Sequence, residues 1–149
     1  MIYGLYPQYS LKRKVKLKPV MAVKSKIIFL KGIEPGRSIS YGRTFTARRR
    51  MKVATLPLGY NDGYPRALSN KGEVLIANKR CPILGRVTMD QAVVDVSGVK
   101  NAYLGMPVDV VGGQNPRAIG LDELSAHAQT INYELACSLG SRLPRVVLP

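Results

Sequence analysis

Short apolar runs separated by turn-forming residues are the feature that most constrains the fold of this chain. Fourteen glycines and ten prolines in 149 residues supply the breaks. The runs between them are rich in Val, Ile, Leu and Tyr, and few of them are long. A strand needs only about four to eight residues, whereas a helix needs roughly ten or more. The pattern, with turns every eight to twelve residues or so, therefore predicts a mainly β domain: a β-barrel or sandwich, Greek-key-like, with a small helical insert.

The predicted strands follow from β-branched, partly alternating runs. They cover residues 20–31, 38–46, 51–58, 73–76, 79–87, 92–96, 108–111 and 145–148. Pro35 and Gly36 form a turn, residues 47–50 a basic hairpin tip, and Ala77-Asn78 and Gly112-Gly113 hairpin turns. Gly42 would weaken the interior of a strand, so a bulge or a close backbone approach is expected there.

One stretch favours a helix, so that one or two short helices are expected near residues 121–138. Its apolar residues keep helical spacing: Leu121, Leu124, Ala128 and Ile131. Asp122 and Glu123 fall in its first turn, where the helix dipole favours acidic side chains. A second short helical turn is expected at residues 133–139.

The net charge of +14 favours anionic partners and keeps a nucleic-acid-binding β-barrel open as an alternative function. The excess is concentrated in residues 12–18 and 48–52, which also suit a solvated tail and a solvated loop, or a surface that an absent acidic partner would cover. The longest apolar run is residues 27–30, far short of a membrane span, and no secretory signal begins the chain. Cys81 and Cys137 form no metal or disulfide pattern. We expect a cytoplasmic protein.

The usual catalytic groups are scarce, and tyrosines take their place. His127 is the only histidine and falls in the predicted helix, and neither a metal-ligand pattern nor a paired carboxylate stands out. Several tyrosines lie in or beside loops near Gly, Asn or Arg: Tyr41, Tyr60, Tyr64 and Tyr133. A phenol can act as an acid or base, although its reference pKa of about 10 requires nearby cations to lower it.

A set of long motifs resembles the carboxy-terminal β-domain of alanine racemase. In chain order they are Ser40-Tyr41-Gly42-Arg43-Thr44, Leu56-Pro57-Leu58-Gly59-Tyr60-Asn61-Asp62-Gly63-Tyr64, Arg80-Cys81-Pro82-Ile83-Leu84-Gly85-Arg86, Met89-Asp90-Gln91, Thr130-Ile131-Asn132-Tyr133-Glu134 and Arg142-Leu143-Pro144-Arg145. They occur in the order of that family, with similar spacing, from Lys18 to the end. Met1-Ile2-Tyr3-Gly4 is also similar to the segment that ends the preceding (β/α)₈ barrel of the family.

The resemblance implies a pyridoxal phosphate enzyme that interconverts L- and D-alanine and so supplies D-alanine for cell-wall peptidoglycan. Tyr41 would be the base on the L-alanine side, opposite a lysine that also holds the cofactor. Met89, Asp90 and Tyr60 would contact the substrate, with Tyr60 at an entry channel lined by Arg66 and Arg86. Tyr133 would lie at the cofactor phosphate.

The resemblance also implies partners that this sequence lacks. In the family a barrel domain carries the cofactor lysine, and the enzyme is a head-to-tail homodimer in which Tyr41 and Met89 would serve the partner subunit. Residues 1–16 would be the remnant of the barrel end and a basic linker, and 17–149 the β-domain. The chain alone is expected to bind no pyridoxal phosphate and to be inactive. A serine-racemising relative stays open, because substrate choice rests partly on the absent barrel.

Overall fold

The computed structural model describes residues 3–7, 16–113 and 115–147. Nine strands and two α-helices lie in these ranges. In chain order they are β1 (Val23–Lys26), β2 (Phe29–Ile33), β3 (Ser38–Ile39), β4 (Phe45–Thr46), β5 (Met51–Leu56), β6 (Glu73–Ile76), β7 (Lys79–Pro82), β8 (Ala92–Asp95), β9 (Pro107–Val111), α1 (Leu121–Ala128) and α2 (Asn132–Ser138). The prediction of a mainly β domain with one or two short helices near residues 121–138 is confirmed, and two helices are present.

All strand pairs are antiparallel, and they form three sheets in the described part of the chain. The sheet orders are β1-β9-β6-β7, β2-β5-β8 and β3-β4. The two larger sheets are connected at one side by an isolated bridge between Ile83 and Val94. At the other side the chain passes directly from β1 into β2. The ladders thus curve around one shared core without closing into a continuous barrel.

The stretch predicted as a single strand at residues 20–31 is two strands that belong to different sheets. At the break, the amide of Ile27 donates to the carbonyl of Met106 and the amide of Ile28 donates to that of Thr55, both at 3.0 Å. The chain therefore exchanges a partner in one sheet for a partner in the other. The apolar run at residues 27–30 spans the exchange with no glycine, proline or other turn former, so the sequence pattern shows no interruption there.

Residues 47–50 do not form the predicted hairpin tip. The strands on either side pair elsewhere, β4 with β3 and β5 with β2 and β8. Ala47 is buried, while Arg49 and Arg50 are exposed and form ion pairs with Asp95 (3.5 Å) and Glu34 (3.2 Å). Two of the cations that favoured a nucleic-acid surface therefore already have carboxylate partners.

Three further predicted turns and strands have different outcomes. Ala77 and Asn78 form the expected hairpin turn, both with positive φ (47° and 61°). Gly112 and Gly113 do not join two strands, because the next element after β9 is the helix α1. The Gly112 amide donates instead to the carbonyl of Ile119. Residues 145–147 form no strand, and Leu148 lies outside the described residues.

The main core lies between the two larger sheets and is covered by the helices. Leu121 and Leu124 of α1 and Leu135 of α2 are buried in it. Helix α1 is shorter than its apolar pattern predicts: it ends at Ala128, because the next residue, Gln129, has a left-handed φ of 60°. Ile131 therefore lies outside the helix and is 64% exposed. No helix in the described ranges has the length and hydropathy needed to cross a membrane.

The segment 3–7 packs on this core. Leu5 is buried, and its carbonyl accepts a hydrogen bond from the Tyr133 hydroxyl at 3.2 Å. Gly4 has a φ of +73°, and a side chain there would lie 1.9 Å from the Lys18 carbonyl. The other parts of the predicted remnant and linker, residues 1–2 and 8–15, fall outside the described residues, so the boundary at 16/17 stays a prediction.

Candidate functional site

Three loops surround a cleft of about 550 Å³ on one end of the sheets. Its lining residues are Tyr41, Tyr60, Arg66, Arg86, Val87, Thr88, Met89, Asp90 and Gln91. Six of the seven residues predicted from the sequence are among them, although they come from segments up to about fifty residues apart (Tyr41 to Asp90). The seventh, Tyr133, does not line the cleft.

Tyr41 lies on a strained turn rather than in the strand predicted for residues 38–46. A short 3₁₀ turn, Tyr41–Arg43, separates β3 from β4. Ser40 and Arg43 have positive φ values of 63° and 48°, as does Gly42 at 70°. Positive φ is uncommon for residues other than glycine and costs on the order of 1 kcal/mol or more each, so surrounding contacts must hold the turn. The Tyr41 side chain is 75% exposed and therefore does not pack in the core.

The contacts that hold this turn come from the segment around Arg86. The Ser40 hydroxyl donates to the Arg86 carbonyl at 2.7 Å. Gly85 lies so close that a Cβ there would be 2.6 Å from the Ile39 carbonyl oxygen. The Arg86 guanidinium covers Gly42, where a Cβ would lie 3.2 Å from Nε. A cation is thus fixed against the turn that carries Tyr41, and the close backbone approach expected at Gly42 is a contact with this side chain.

Asn70 also connects the turn of Tyr41 to the segment around Arg86. Its side-chain amide donates to the Thr44 hydroxyl at 3.1 Å, and its carbonyl oxygen accepts from the Gly85 amide at 2.6 Å. The turn of Tyr41 is therefore anchored on both sides.

The second loop, with the 3₁₀ turn Tyr60–Asp62, is bonded directly to the third. The amides of Tyr60 and Asn61 donate to the carbonyls of Thr88 (3.1 Å) and Met89 (3.0 Å). The buried Asp62 carboxylate accepts from the Gly59 amide at 2.9 Å and so closes the loop on itself. Tyr60 is 44% exposed in the cleft, whereas Tyr64, four residues later, is 3% exposed and belongs to the core.

The third loop, residues 88–91, presents Met89 and Asp90 at the cleft. The Thr88 hydroxyl accepts from the Gln91 amide at 3.2 Å and donates to its carbonyl at 2.9 Å, which fixes the turn. Arg142 donates to the exposed Asp90 carboxylate at 2.7 Å. This bond, and a weaker one from Asn61, hold the pKa of Asp90 below its ordinary value.

Tyr133 lies on α2, half-buried, with its hydroxyl on the Leu5 carbonyl. Tyr133 is not among the residues that line the cleft, so the structure does not bring the predicted cofactor residue and the predicted base together at one cleft within this chain. The role predicted for Tyr133 remains a prediction.

The cleft offers phenol hydroxyls, two guanidinium groups and loop backbone, which are donors suited to carboxylate or phosphate oxygens. Among the described residues, its lining contains no lysine, the residue type that could bind the aldehyde of pyridoxal phosphate. The donor set thus fits the anionic groups of a cofactor or amino acid but not the covalent attachment of the cofactor. In the described ranges there is no group of three His, Cys, Asp or Glu side chains suited to a metal.

Three residues that position the site have no role in the predictions from sequence: Asp62, Asn70 and Arg142. Asp62 and Arg142 lie within quoted motifs. Their contacts, however, join positions far apart in the chain, and only the structure reveals them.

Comparison with known proteins identifies the domain. Residues 20–147 match the family model described as alanine racemase, C-terminal domain. The alanine racemase of Halothermothrix orenii is 45% identical over 145 residues, and that of Desulfovibrio desulfuricans is 43% identical over 145 residues; each match covers 97% of this chain and 38% of the relative. The chain thus spans well under half the length of these relatives.

Solved structures agree. The alanine racemase from Bacillus anthracis with bound L-Ala-P superimposes with a TM-score of 0.92 at 34% identity, over 99% of this chain and 38% of that one. The enzyme from Bartonella henselae with covalently bound pyridoxal phosphate gives 0.86 at 32% identity, over 97% of this chain and 39% of that one. The chain therefore belongs to the family of alanine racemase C-terminal domains.

Proposed function

We propose that this chain supplies the C-terminal face of the active site of a pyridoxal phosphate-dependent alanine racemase, with Tyr41 as the base on the L-alanine side. The observation that carries the proposal is the state of Tyr41: three-quarters exposed, at a cleft, on a turn with two strained non-glycine residues. Strain of this kind persists only where surrounding contacts enforce it, and it is concentrated at functional sites. The names of the relatives and the ligands in two of the solved relatives supply the reaction and the cofactor.

Each cleft residue has a role that its geometry allows. The cofactor, when bound, supplies the electron sink that makes the α-proton of the amino acid removable. The Tyr41 hydroxyl takes or returns that proton, and Arg86 fixes the turn that presents it. The loop of Met89 and Asp90 meets the substrate carboxylate through its backbone, since the Asp90 carboxylate is engaged by Arg142. Tyr60 narrows the cleft beside Arg66 and Arg86, which attract the carboxylate of the amino acid.

Other polypeptide must complete the site. None of the described residues that line the cleft is a lysine, and the relatives extend well beyond this chain, so the cofactor anchor and the opposing base are assigned to a barrel domain. Tyr133 lies away from the cleft, which suits a homodimer in which Tyr133 serves the cofactor of its own subunit and Tyr41 that of the partner. The chain alone is accordingly inactive, and its product in the assembled cytoplasmic enzyme is D-alanine for peptidoglycan.

A chimera tests the proposal: this chain replaces the matched 38% of the Halothermothrix orenii enzyme. We expect the chimera to racemise alanine and the Tyr41→Phe variant to lose about 100-fold or more in kcat, the usual contribution of an acid–base group. Tyr103→Phe is the matched control, because Tyr103 is also an exposed loop tyrosine but does not line the cleft. A chimera that racemises equally well with Tyr41→Phe and Tyr103→Phe would refute the role of Tyr41.

A further inference from the structure

Arg142 connects the two cleft loops that carry the proposed substrate contacts. Its guanidinium donates to Asp90 in the loop 88–91 at 2.7 Å. The Nε side of the same group lies 3.6 Å from the carboxylate of Asp62, in the loop that presents Tyr60. Arg142 comes from the segment after α2, 52 residues beyond Asp90, and does not itself line the cleft.

The two carboxylates differ in burial, and this difference sets what Arg142 does. Asp62 is 8% exposed and already accepts the Gly59 amide, so its loop is a fixed point. Asp90 is half exposed and lies beside Met89 at the rim of the cleft. An arginine held by the buried carboxylate can therefore restrain the exposed one, while the backbone bonds at Tyr60 and Asn61 restrain the same loop from its other side.

The planar guanidinium suits this geometry. Arginine can present separate N–H groups to two carboxylates at once, whereas the lysine ammonium is a compact point charge on a flexible stem. A single exposed ion pair contributes little to the stability of a fold. We therefore expect Arg142 to affect the position of the loop 88–91 more than the stability of the fold.

We propose that Arg142 is a positioning residue for the reaction: by bridging Asp62 and Asp90 it fixes the loop of Met89 against the loop of Tyr60 and sets the shape of the substrate-carboxylate end of the cleft. This inference rests on the proposed function for its catalytic consequence but not for its structural one. The two consequences are measured separately.

The first measurement uses the chain alone and needs no activity. In Arg142→Gln we expect the amides of Tyr60 and Asn61 to exchange with solvent about tenfold faster, because the two loops separate more often. The Leu84 amide, bonded to Val93 outside these loops, should keep its rate. We also expect the pKa of Asp90 to rise toward its ordinary value, as followed by NMR titration of the carboxyl carbon, since Arg142 is the main cause of its lowering. Asn61, which also bonds Asp90, is unchanged in this variant.

The second measurement uses the chimera. Arg142→Gln should lower kcat for alanine about tenfold, with a smaller change in KM, because a displaced loop misplaces groups in the transition state. Arg142→Lys should recover the charge but only part of the rate. Arg49→Gln, which breaks an exposed arginine–carboxylate pair remote from the cleft, is the control and should match the unmodified chimera.

Unchanged exchange at Tyr60 and Asn61 in Arg142→Gln would overturn the proposed bridge. Faster exchange with kcat equal to that of Arg49→Gln would overturn its catalytic consequence. A chimera that fails to racemise before any substitution would contradict the proposed function instead, and the exchange experiment would still decide the bridge. If Arg142→Gln fails to fold, Arg142→Lys carries both measurements, and full activity with unchanged exchange in that folded variant overturns the requirement for the guanidinium fork.

Discussion

Gly59→Ala should destabilise the chain by separating two of the cleft loops. The φ of Gly59 is −145°, which any residue can adopt, so the effect is steric alone. A Cβ at this position would lie 2.2 Å from the Met89 carbonyl oxygen and 2.4 Å from that of Thr88. Both obstacles are backbone atoms and cannot rotate away as a flexible side chain would.

The magnitude follows from what must move. Restoring ordinary contact requires the loops to separate by about 1 Å, which weakens the backbone hydrogen bonds from Tyr60 and Asn61. Each such bond contributes about 0.5–1.5 kcal/mol, and overpacking typically costs about 1–3 kcal/mol. We therefore expect the free energy of unfolding to fall by about 2–4 kcal/mol.

Urea denaturation followed by circular dichroism measures this change, with Gly32→Ala as the control. Gly32 lies in β2 with open space where its Cβ would be, so alanine should be tolerated there. At an m-value of about 1–3 kcal/mol per molar urea, the expected loss moves the midpoint by roughly 0.7–4 M. If Gly59→Ala unfolds within about 0.5 kcal/mol of Gly32→Ala, the close approach of these loops is not a structural requirement.

Two further predictions concern buried groups of the core. Burial raises the pKa of the Tyr64 hydroxyl, so as the pH rises the unfolded chain loses the phenol proton before the folded chain does. The free energy of unfolding should therefore fall above about pH 10. The Tyr64 hydroxyl also has no hydrogen-bond partner among the described residues. Tyr64→Phe should therefore stabilise the chain by about 1–2 kcal/mol at pH 8. Urea titrations should also show a smaller loss of stability at alkaline pH than in the unmodified chain. A variant that is less stable and loses as much stability at alkaline pH would contradict this. Burial raises the pKa of the Cys81 thiol to about 12, whereas Cys137 is exposed. A thiol reagent at pH 8 should therefore modify Cys137 quickly in the folded chain and Cys81 only in denaturant. Two fast thiols would refute the buried position of Cys81.

The parts of the fold that the sequence predicts are those fixed by local chemistry. Ala77-Asn78 forms its hairpin because the short connection allows few other conformations, and Leu121 and Leu124 begin a helix because their spacing matches its period. The paired loops were recognised through their long motifs, and six predicted residues indeed meet at one cleft.

The parts that the sequence does not predict depend on distant partners. The turn of Tyr41 uses left-handed Ser40 and Arg43, residue types that carry no local signal for that conformation. Contacts from Arg86 and Asn70 enforce it. Tyr60 and Tyr64 occupy the same motif, yet Tyr60 lines the cleft and Tyr64 is buried; the 3₁₀ turn Tyr60–Asp62 and the left-handed Gly63 separate their environments.

The most direct test of Tyr41 as the base for L-alanine is isotope exchange at the α-carbon of alanine. The chimera catalyses this exchange in D₂O, and proton NMR follows it. Tyr41 is proposed as the base for L-alanine only, so Tyr41→Phe should suppress the initial loss of the α-proton from L-alanine far more than from D-alanine, relative to Tyr103→Phe. Equal loss of exchange from both enantiomers, or none from either, would contradict the assignment of Tyr41 as the base that this chain contributes.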